Sequence, residues 1–218
     1  GGRARARPPR SARRYRYSAF NAPHAVSVVG TRPLSGYSSM IAMSPWCQTP
    51  QHRFTVSVWL VKLTLLWLMM AELGYTNAAE MNAELPSEPL LFLKPPSAVI
   101  GPGETILLPS MSSRVDYEAE LAVVIGRRAK DVPWNTALTY IFGCTAANDV
   151  TARDLQRTDG QWTRAKGFDT FCPIGPWIVT NLDTASVAVR ARVNGEVRQD
   201  GRTRDLIFDV PYLVSYIS

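Results

Sequence analysis

The alternation of apolar and polar side chains is clearest between residues 115 and 126. β-Branched and aliphatic residues crowd this segment and Gly126 ends it, which predicts a strand. Successive strand side chains point to opposite faces. One face is therefore apolar throughout and consists of Tyr117, Ala119, Leu121, Val123 and Ile125. The opposite face carries Glu118 and Glu120 and then turns apolar.

The two glutamates of this strand lie about 7 Å apart, from a rise of roughly 3.3 Å per residue. Two partly buried like charges are unfavourable unless they are protonated or share a cation. Spacing alone leaves two interpretations open for Glu118 and Glu120: a solvated acidic face on an edge strand, or a charged pair at the mouth of a buried surface.

Other patterns predict short elements around this strand. Residues 78–84 favour a helix, residues 90–93 a compact apolar strand, and residues 131–143 a helix that ends at Gly143. Residues 187–193 alternate as a strand, and Asn194-Gly195 predicts a two-residue hairpin turn before a return strand. Strands outnumber helices without regular alternation, so the sequence predicts a mainly β or mixed α+β domain.

Charge divides the chain into two unlike parts. Residues 1–71 contain no Asp or Glu but ten basic residues, whereas residues 72–218 hold all 18 acids and 24 − 10 = 14 basic residues, a net charge of −4. The net charge of +6 therefore belongs to the first part, and we expect no nucleic-acid binding by the second. We expect a catalytic domain at 72–218, preceded by a basic segment at 1–71.

The first part admits three interpretations: an arm for nucleic acid or anionic membrane, an organelle transit peptide, or non-native translated sequence. Its Arg-rich start lacks a helical or strand period, and we expect it to be disordered or non-native. The apolar run 54–71 is interrupted by Lys62, so a membrane span is not expected there, and a strand leading into the domain is an alternative. We expect a cytoplasmic protein, or a mitochondrial one if the segment is a transit peptide.

Residue types exclude several chemistries. The cysteines Cys47, Cys144 and Cys172 form no CxxC pair, which argues against a thiolate zinc site and a disulfide framework. The histidines His24 and His52 precede the domain, which argues against His-based triads within it. The domain must therefore work with carboxylates, Lys, Arg and Gln.

Three further motifs accompany the acidic strand: Phe92-Leu93-Lys94-Pro95-Pro96-Ser97, the run 148–156 (NDVTARDLQ) and the run 159–171 (DGQWTRAKGFDTF). Together they resemble the fumarylacetoacetate hydrolase family, in particular its short acylpyruvate hydrolase and oxaloacetate decarboxylase-like branch. The resemblance extends from about residue 73 to 218. It implies a mainly β, β-roll fold, here truncated at the C-terminal end, and a homodimer.

The resemblance also implies a site. It assigns Glu118, Glu120 and Asp149 as ligands of one divalent cation, Mg²⁺ or Mn²⁺, and three hard carboxylate oxygens suit these ions. Arg153 and Gln156 match positions that hold the carboxylate and oxygens of a 2-oxo acid. Guanidinium groups suit bidentate carboxylate recognition.

Two further residues match reactive positions. Lys166 matches a lysine that offsets developing negative charge near the metal, with Asp169 either its partner or a plain loop acid. Glu80 aligns with a glutamate that activates water, although the histidine that accompanies it in the family is absent after Asn77. A Thr-Gly-Thr-Pro loop that follows in the family is also missing.

The function that the resemblance implies is metal-dependent cleavage of a C–C bond in a small 2,4-dioxo acid of the acylpyruvate type, through an enolate. Two alternatives stay open. One is decarboxylation of oxaloacetate or isomerisation of a 2-oxo acid, which needs no activated water. The other is a non-catalytic remnant that only binds metal.

Overall fold

The computed structural model describes the backbone of residues 14–22, 25–31, 53–55, 68–71 and 86–218, and the side chains of residues 86–218. The strands are β1 (Arg14–Ala22), β2 (Ala25–Thr31), β3 (Arg53–Thr55), β4 (Leu68–Ala71), β5 (Val99–Ile100), β6 (Thr105–Leu107), β7 (Val115–Asp116), β8 (Ala119–Ile125), β9 (Ile141–Asn148), β10 (Thr151–Ala152), β11 (Cys172–Val179), β12 (Ala188–Val193) and β13 (Glu196–Arg202). The α-helices are α1 (Arg153–Thr158), α2 (Thr163–Lys166) and α3 (Val210–Ile217), and 3₁₀ turns span Pro96–Ala98, Trp134–Tyr140 and Thr203–Asp205.

The acidic strand lies inside a sheet. It forms β7 and β8, and β8 pairs antiparallel with β9 on one side and β4 on the other, in the order β3-β11-β9-β8-β4. The predicted apolar face is confirmed for Ala119, Leu121 and Val123, which belong to the main hydrophobic core, and for Ile125, which packs against it. Tyr117 is the exception, because it lies between β7 and β8 and is exposed. The opposite face is also buried, and its Ala122 packs in a second, smaller core. A solvated acidic face on an edge strand is therefore ruled out.

The second sheet has the order β13-β12-β2-β1-β6. The predicted hairpin is confirmed: β12 and β13 pair antiparallel, and both turn residues have positive φ, 54° at Asn194 and 86° at Gly195. This is the backbone conformation that a two-residue primed turn requires, and an Asn-Gly pair adopts it readily.

Four short ranges within residues 1–71, which the sequence predicts to be disordered or non-native, are strands. Strand β1 pairs with β2 and β6, and β2 runs parallel to β12. Backbone pairing with β6 and β12 therefore places these two strands in the second sheet. The division at residue 72 stays a prediction, and the helix expected at 78–84 lies outside the described residues.

Two other predicted elements are wrong. Residues 90–93 form no strand, and Leu90, Leu91 and Leu93 are exposed. The helix expected from residue 131 is only a 3₁₀ turn that ends at Tyr140, where β9 begins. Gly143 is therefore not a helix stop. It allows close strand packing instead, because a Cβ atom there would lie 2.6 Å from the Ile178 side chain.

The architecture is the sheet-dominated, mixed fold that the pattern predicts. In the parts of the chain that the structure describes, no helix combines the length and the apolar character needed to cross a bilayer. Most of the apolar run 54–71 lies outside those parts. What matters for the site is the start of β8 and the end of β9, which lie side by side.

Candidate active site

Backbone pairing brings two acidic residues together that are distant in sequence. The N–H of Asp149 donates to the carbonyl of Glu118 at 2.8 Å, just beyond the point where Ala119 pairs with Asn148. The Asn148 side chain closes the arrangement, since its Oδ1 accepts the Glu118 N–H at 3.0 Å. The side-chain amide of Gln199 on β13 holds the next residue: its oxygen accepts the Ala119 N–H at 2.8 Å, and its nitrogen donates to the Ala119 carbonyl at 2.7 Å.

The three predicted carboxylates are all buried. Glu118 is 5% exposed, Glu120 2% and Asp149 0%. Unpaired charges at this depth would be strongly unfavourable, so each carboxylate needs either a nearby cation or a proton.

Lys166, at the end of α2, is the cation that joins two of them. Its Nζ atom lies 2.7 Å from Oε2 of Glu118 and also contacts Oδ2 of Asp149. The side chain is 1% exposed and passes aromatic rings, with Nζ 4.6 Å from the centre of the Phe92 ring and 5.8 Å from that of Trp162. Such contacts favour the charged ammonium.

Burial and neighbouring charges shift the pKa values of these groups in different directions. Burial alone would raise the pKa of Glu118, but Lys166 and Arg153 lower it below its ordinary value. Burial likewise opposes the charge on Lys166, yet Asp149 and Glu118 raise the pKa of its ammonium. For Asp149, burial together with the Glu118 charge raises the pKa despite the two neighbouring lysines. Glu118 and Lys166 are therefore held as an ion pair.

Arg153 begins α1 and connects the carboxylates to the surface of the site. Its guanidinium donates to Asp116 at 3.2 Å, Glu118 at 2.5 Å and Gln156 at 2.9 Å. These bonds use three of the five guanidinium N–H groups. Among residues 86–218, no acceptor is found for the other two N–H groups, which leaves them for a carboxylate ligand. The structure thus places the predicted pair Arg153 and Gln156 in direct contact, next to Glu118.

Three contributors to the site were not predicted as site residues. Lys94 contacts Oδ1 of Asp149 at 2.6 Å, and Thr151 donates to Oε2 of Glu118 at 2.7 Å. Asp116 accepts a hydrogen bond from the Arg153 guanidinium. Their sequence signal was present, because Lys94 and Thr151 fall in the quoted motifs and Asp116 precedes Glu118 by two residues. No local pattern showed that Lys94 reaches 55 residues along the chain to Asp149.

The carboxylates provide the donor chemistry of a divalent cation site. Within the described ranges, no three His, Cys, Asp or Glu side chains form a group that could hold a metal ion. Glu118 and Asp149 meet at Lys166 Nζ, and Glu120, the second residue of β8, is buried nearby in the sequence. Two buried carboxylates match a hard divalent ion in charge and ligand type, and Lys166 Nζ occupies the point at which they converge in this structure. The assignment of all three as ligands stays a prediction.

The other residues discussed from the sequence are Glu80, Asp169 and two cysteines. Glu80 lies outside the described residues. Asp169 is exposed, whereas Lys166 binds Glu118 and Asp149, so the structure favours a loop acid. Cys144 and Cys172 are free and buried, and burial raises the pKa of each thiol to about 12. Neither thiol is an activated nucleophile.

Sequence comparison places these motifs in a family. Residues 69–218 match the family described as fumarylacetoacetate (FAA) hydrolase C-terminal. The match covers more than half of the chain and includes Lys94, Glu118, Asp149 and Lys166. The chain therefore belongs to the fumarylacetoacetate hydrolase family.

Two curated relatives illustrate its range. An uncharacterized protein of Methanocaldococcus jannaschii is 53% identical over 142 residues, which cover 65% of this chain and 60% of the relative. The human mitochondrial oxaloacetate tautomerase FAHD2A is 42% identical over 147 residues, or 65% of this chain and 47% of the relative. The chain spans between 47% and 66% of the lengths of the curated relatives compared.

A solved structure shares the fold. The 5-carboxymethyl-2-hydroxymuconate delta-isomerase from Mycobacterium smegmatis superposes with a TM-score of 0.60 at 56% identity, covering 61% of this chain and 53% of that chain. The family is enzymatic, and the names of its members include a hydrolase, isomerases and an oxaloacetate tautomerase.

Proposed function

We propose that the site binds a small 2-oxo acid and stabilises its enolate, so that the protein interconverts keto and enol forms or double-bond isomers of such acids. The observation that carries the proposal is the joining of Arg153, Glu118, Lys166 and Asp149 into one buried chain of alternating charge. Relatives named as a tautomerase and an isomerase support this type of reaction.

Arg153 provides the recognition of the substrate carboxylate. Its two remaining N–H groups lie on a guanidinium that Asp116 and Glu118 already fix, so little conformational entropy is lost when a ligand binds. The amide of Gln156 accepts from the same guanidinium, which holds the amide beside the bound acid. Bidentate recognition of this kind suits a planar carboxylate.

Lys166 provides positive charge at the reacting end. Its ammonium is buried and held between two carboxylates, so it is oriented before a ligand arrives. A fixed cation in a water-poor site stabilises negative charge that develops on a substrate oxygen more strongly than it would in water. The aromatic rings of Phe92 and Trp162 shield this ammonium from water on another side.

Enzymes of this family generally use divalent metal ions. We propose that Glu118 and Asp149, together with Glu120, hold such an ion, Mg²⁺ or Mn²⁺. When bound, the ion supplies Lewis acidity toward the oxygens of the 2-oxo acid.

Hydrolytic cleavage of an acylpyruvate is the second candidate. It is favoured by Glu80, which aligns with the family glutamate that activates water. The histidine expected beside Glu80 is absent from residues 72–218, since the chain's two histidines are His24 and His52. Enolate chemistry without an activated water therefore takes precedence.

Kinetic assays of purified protein with Mg²⁺ or Mn²⁺ separate the candidates. The proposal predicts accelerated ketonisation of enol-oxaloacetate, whereas the second candidate predicts formation of acetate and pyruvate from acetylpyruvate. Arg153→Ala should raise KM at least tenfold, because a charged hydrogen bond contributes about 1.5–3 kcal/mol. The matched control is Arg157→Ala on the same helix, an exposed residue that should leave KM unchanged.

A further inference from the structure

Lys94 lies behind the site with its ammonium inside a cage of oxygens. Nζ is 2.6 Å from Oδ1 of Asp149 and lies within hydrogen-bond distance of three backbone carbonyls: Val150 at 3.1 Å, Lys166 at 2.7 Å and Phe171 at 2.8 Å. The side chain is 6% exposed. An ammonium has three protons to donate. Four oxygens thus share one cation that almost no water reaches.

The four oxygens come from three separate segments that carry the site. Asp149 and Val150 follow β9, the carbonyl of Lys166 ends α2, and Phe171 precedes β11. Carbonyls at the end of a helix have no partner within the helix and carry partial negative charge. The Lys94 ammonium therefore caps α2 at the same residue whose side chain reaches the carboxylates.

Lys94 also determines how Asp149 is oriented. One carboxylate oxygen of Asp149 faces Lys94 and the other faces Lys166, so the plane of the carboxylate is fixed by two cations on opposite oxygens. Without Lys94, Oδ1 would be buried beside three carbonyls that carry partial negative charge. The carboxylate would then rotate or take up a proton, and Lys166 would lose its alignment with Glu118.

We propose that Lys94 is a positioning residue, whose caged ammonium orients Asp149 and anchors the backbone of Lys166. The proposal rests on the proposed function, because the groups that it positions are those assigned to the reaction. Loss of such a supporting contact lowers activity or metal affinity about 10- to 100-fold in comparable sites. The effect should fall on kcat rather than on KM, since the bond from Arg153 to Asp116 involves neither Asp149 nor Lys166.

The test is Lys94→Ala with chemical rescue. The variant leaves room for an ammonium ion among the four oxygens, whereas tetramethylammonium is too large and donates no hydrogen bond. At equal ionic strength, ammonium chloride should restore kcat of Lys94→Ala on oxaloacetate at least fivefold, and tetramethylammonium chloride should not. Lys130→Ala, which removes an exposed lysine, is the matched control and should respond to neither salt.

A second measurement reports on Lys166 without depending on turnover. Acetylation of Lys166 by acetic anhydride, followed by mass spectrometry, should be at least tenfold faster in Lys94→Ala than in the wild type, and ammonium should reverse the increase. If the wild type turns over no 2-oxo acid, the proposed function fails, and this labelling alone decides the role of Lys94.

Two outcomes would overturn the proposal: a kcat of Lys94→Ala within twofold of wild type, or unchanged labelling of Lys166. If Lys94→Ala does not fold in either salt, Lys94→Met, which retains the aliphatic stem, is measured in its place. The same two thresholds apply to Lys94→Met, without the rescue arm.

Discussion

Nζ of Lys166 and Oε2 of Glu118 lie 2.7 Å apart although 48 residues separate them in sequence. Both side chains are buried, and Thr151 donates a second hydrogen bond to the same oxygen. This contact joins the helix-bearing segment α1–α2 to the residue that immediately precedes strand β8. The geometry of the site and the stability of the domain therefore depend on the same ion pair.

Replacement of Lys166 by Met should destabilise the protein strongly. It leaves Glu118 and Asp149 buried without their shared cation, and removal of one partner from a buried pair costs about 3–5 kcal/mol. Urea denaturation followed by circular dichroism measures the loss. Lys130→Met breaks an exposed pair with Asp131 and should cost less than about 1 kcal/mol. Equal losses in the two variants would contradict the assigned role of burial.

Asp154 should make stability depend on acid pH. Its carboxylate accepts hydrogen bonds from Ser112 Oγ at 2.6 Å and from the N–H and Oγ of Ser113, which hold its pKa well below the ordinary value. Because the folded-state pKa is depressed, the stabilisation is complete above the unfolded-state pKa near 3.8 and is lost as pH falls toward the folded-state pKa.

The stability difference between wild type and Asp154→Asn should accordingly shrink as pH falls from 5 to 3. Thermal or urea unfolding of both proteins across this range measures it. Ser113→Ala, which removes one of the donors, should show part of the same pH dependence. A difference that stays constant with pH would refute the assignment.

The backbone conformation at position 195, and not a lack of space, should be what requires glycine there. Its φ is 86°, yet a Cβ atom there would meet nothing within 4 Å. Gly195→Ala should therefore lower the free energy of unfolding by about 1–2 kcal/mol through backbone strain alone. Gly160→Ala is the matched control: it has equal space without a positive φ, and its effect should stay within about 0.5 kcal/mol.

The strands and the hairpin follow from local sequence. The alternation in 115–126 predicts the buried face of β8, and Asn194-Gly195 predicts the turn of positive φ, because side-chain alternation and turn chemistry act over a few residues. The prediction of a strand at residues 90–93 is wrong because it rested on composition and not on alternation or turn chemistry. Apolar composition alone does not supply a neighbouring strand to pair with, and the leucines there remain exposed.

The site is only partly visible in sequence. Spacing alone leaves the environment of Glu118 open, and the resemblance of motifs is needed to relate it to Asp149 and Lys166. The caged ammonium of Lys94 depends on carbonyls from three segments, and carbonyl positions have no side-chain signal. Pairing of β1 and β2 with the second sheet is likewise a property of the assembled backbone, which composition does not reveal.

The most direct test of the proposed chemistry is the rate at which the protein, with Mn²⁺ present, converts enol-oxaloacetate to the keto form. The reference is the rate in buffer with the same Mn²⁺ concentration, and Arg153→Ala and Arg157→Ala are measured beside the wild type. The account predicts acceleration by wild type and Arg157→Ala, and a value of kcat/KM at least tenfold lower for Arg153→Ala. A wild-type rate equal to that of buffer and Mn²⁺ alone, or an Arg153→Ala variant as active as wild type, would contradict it.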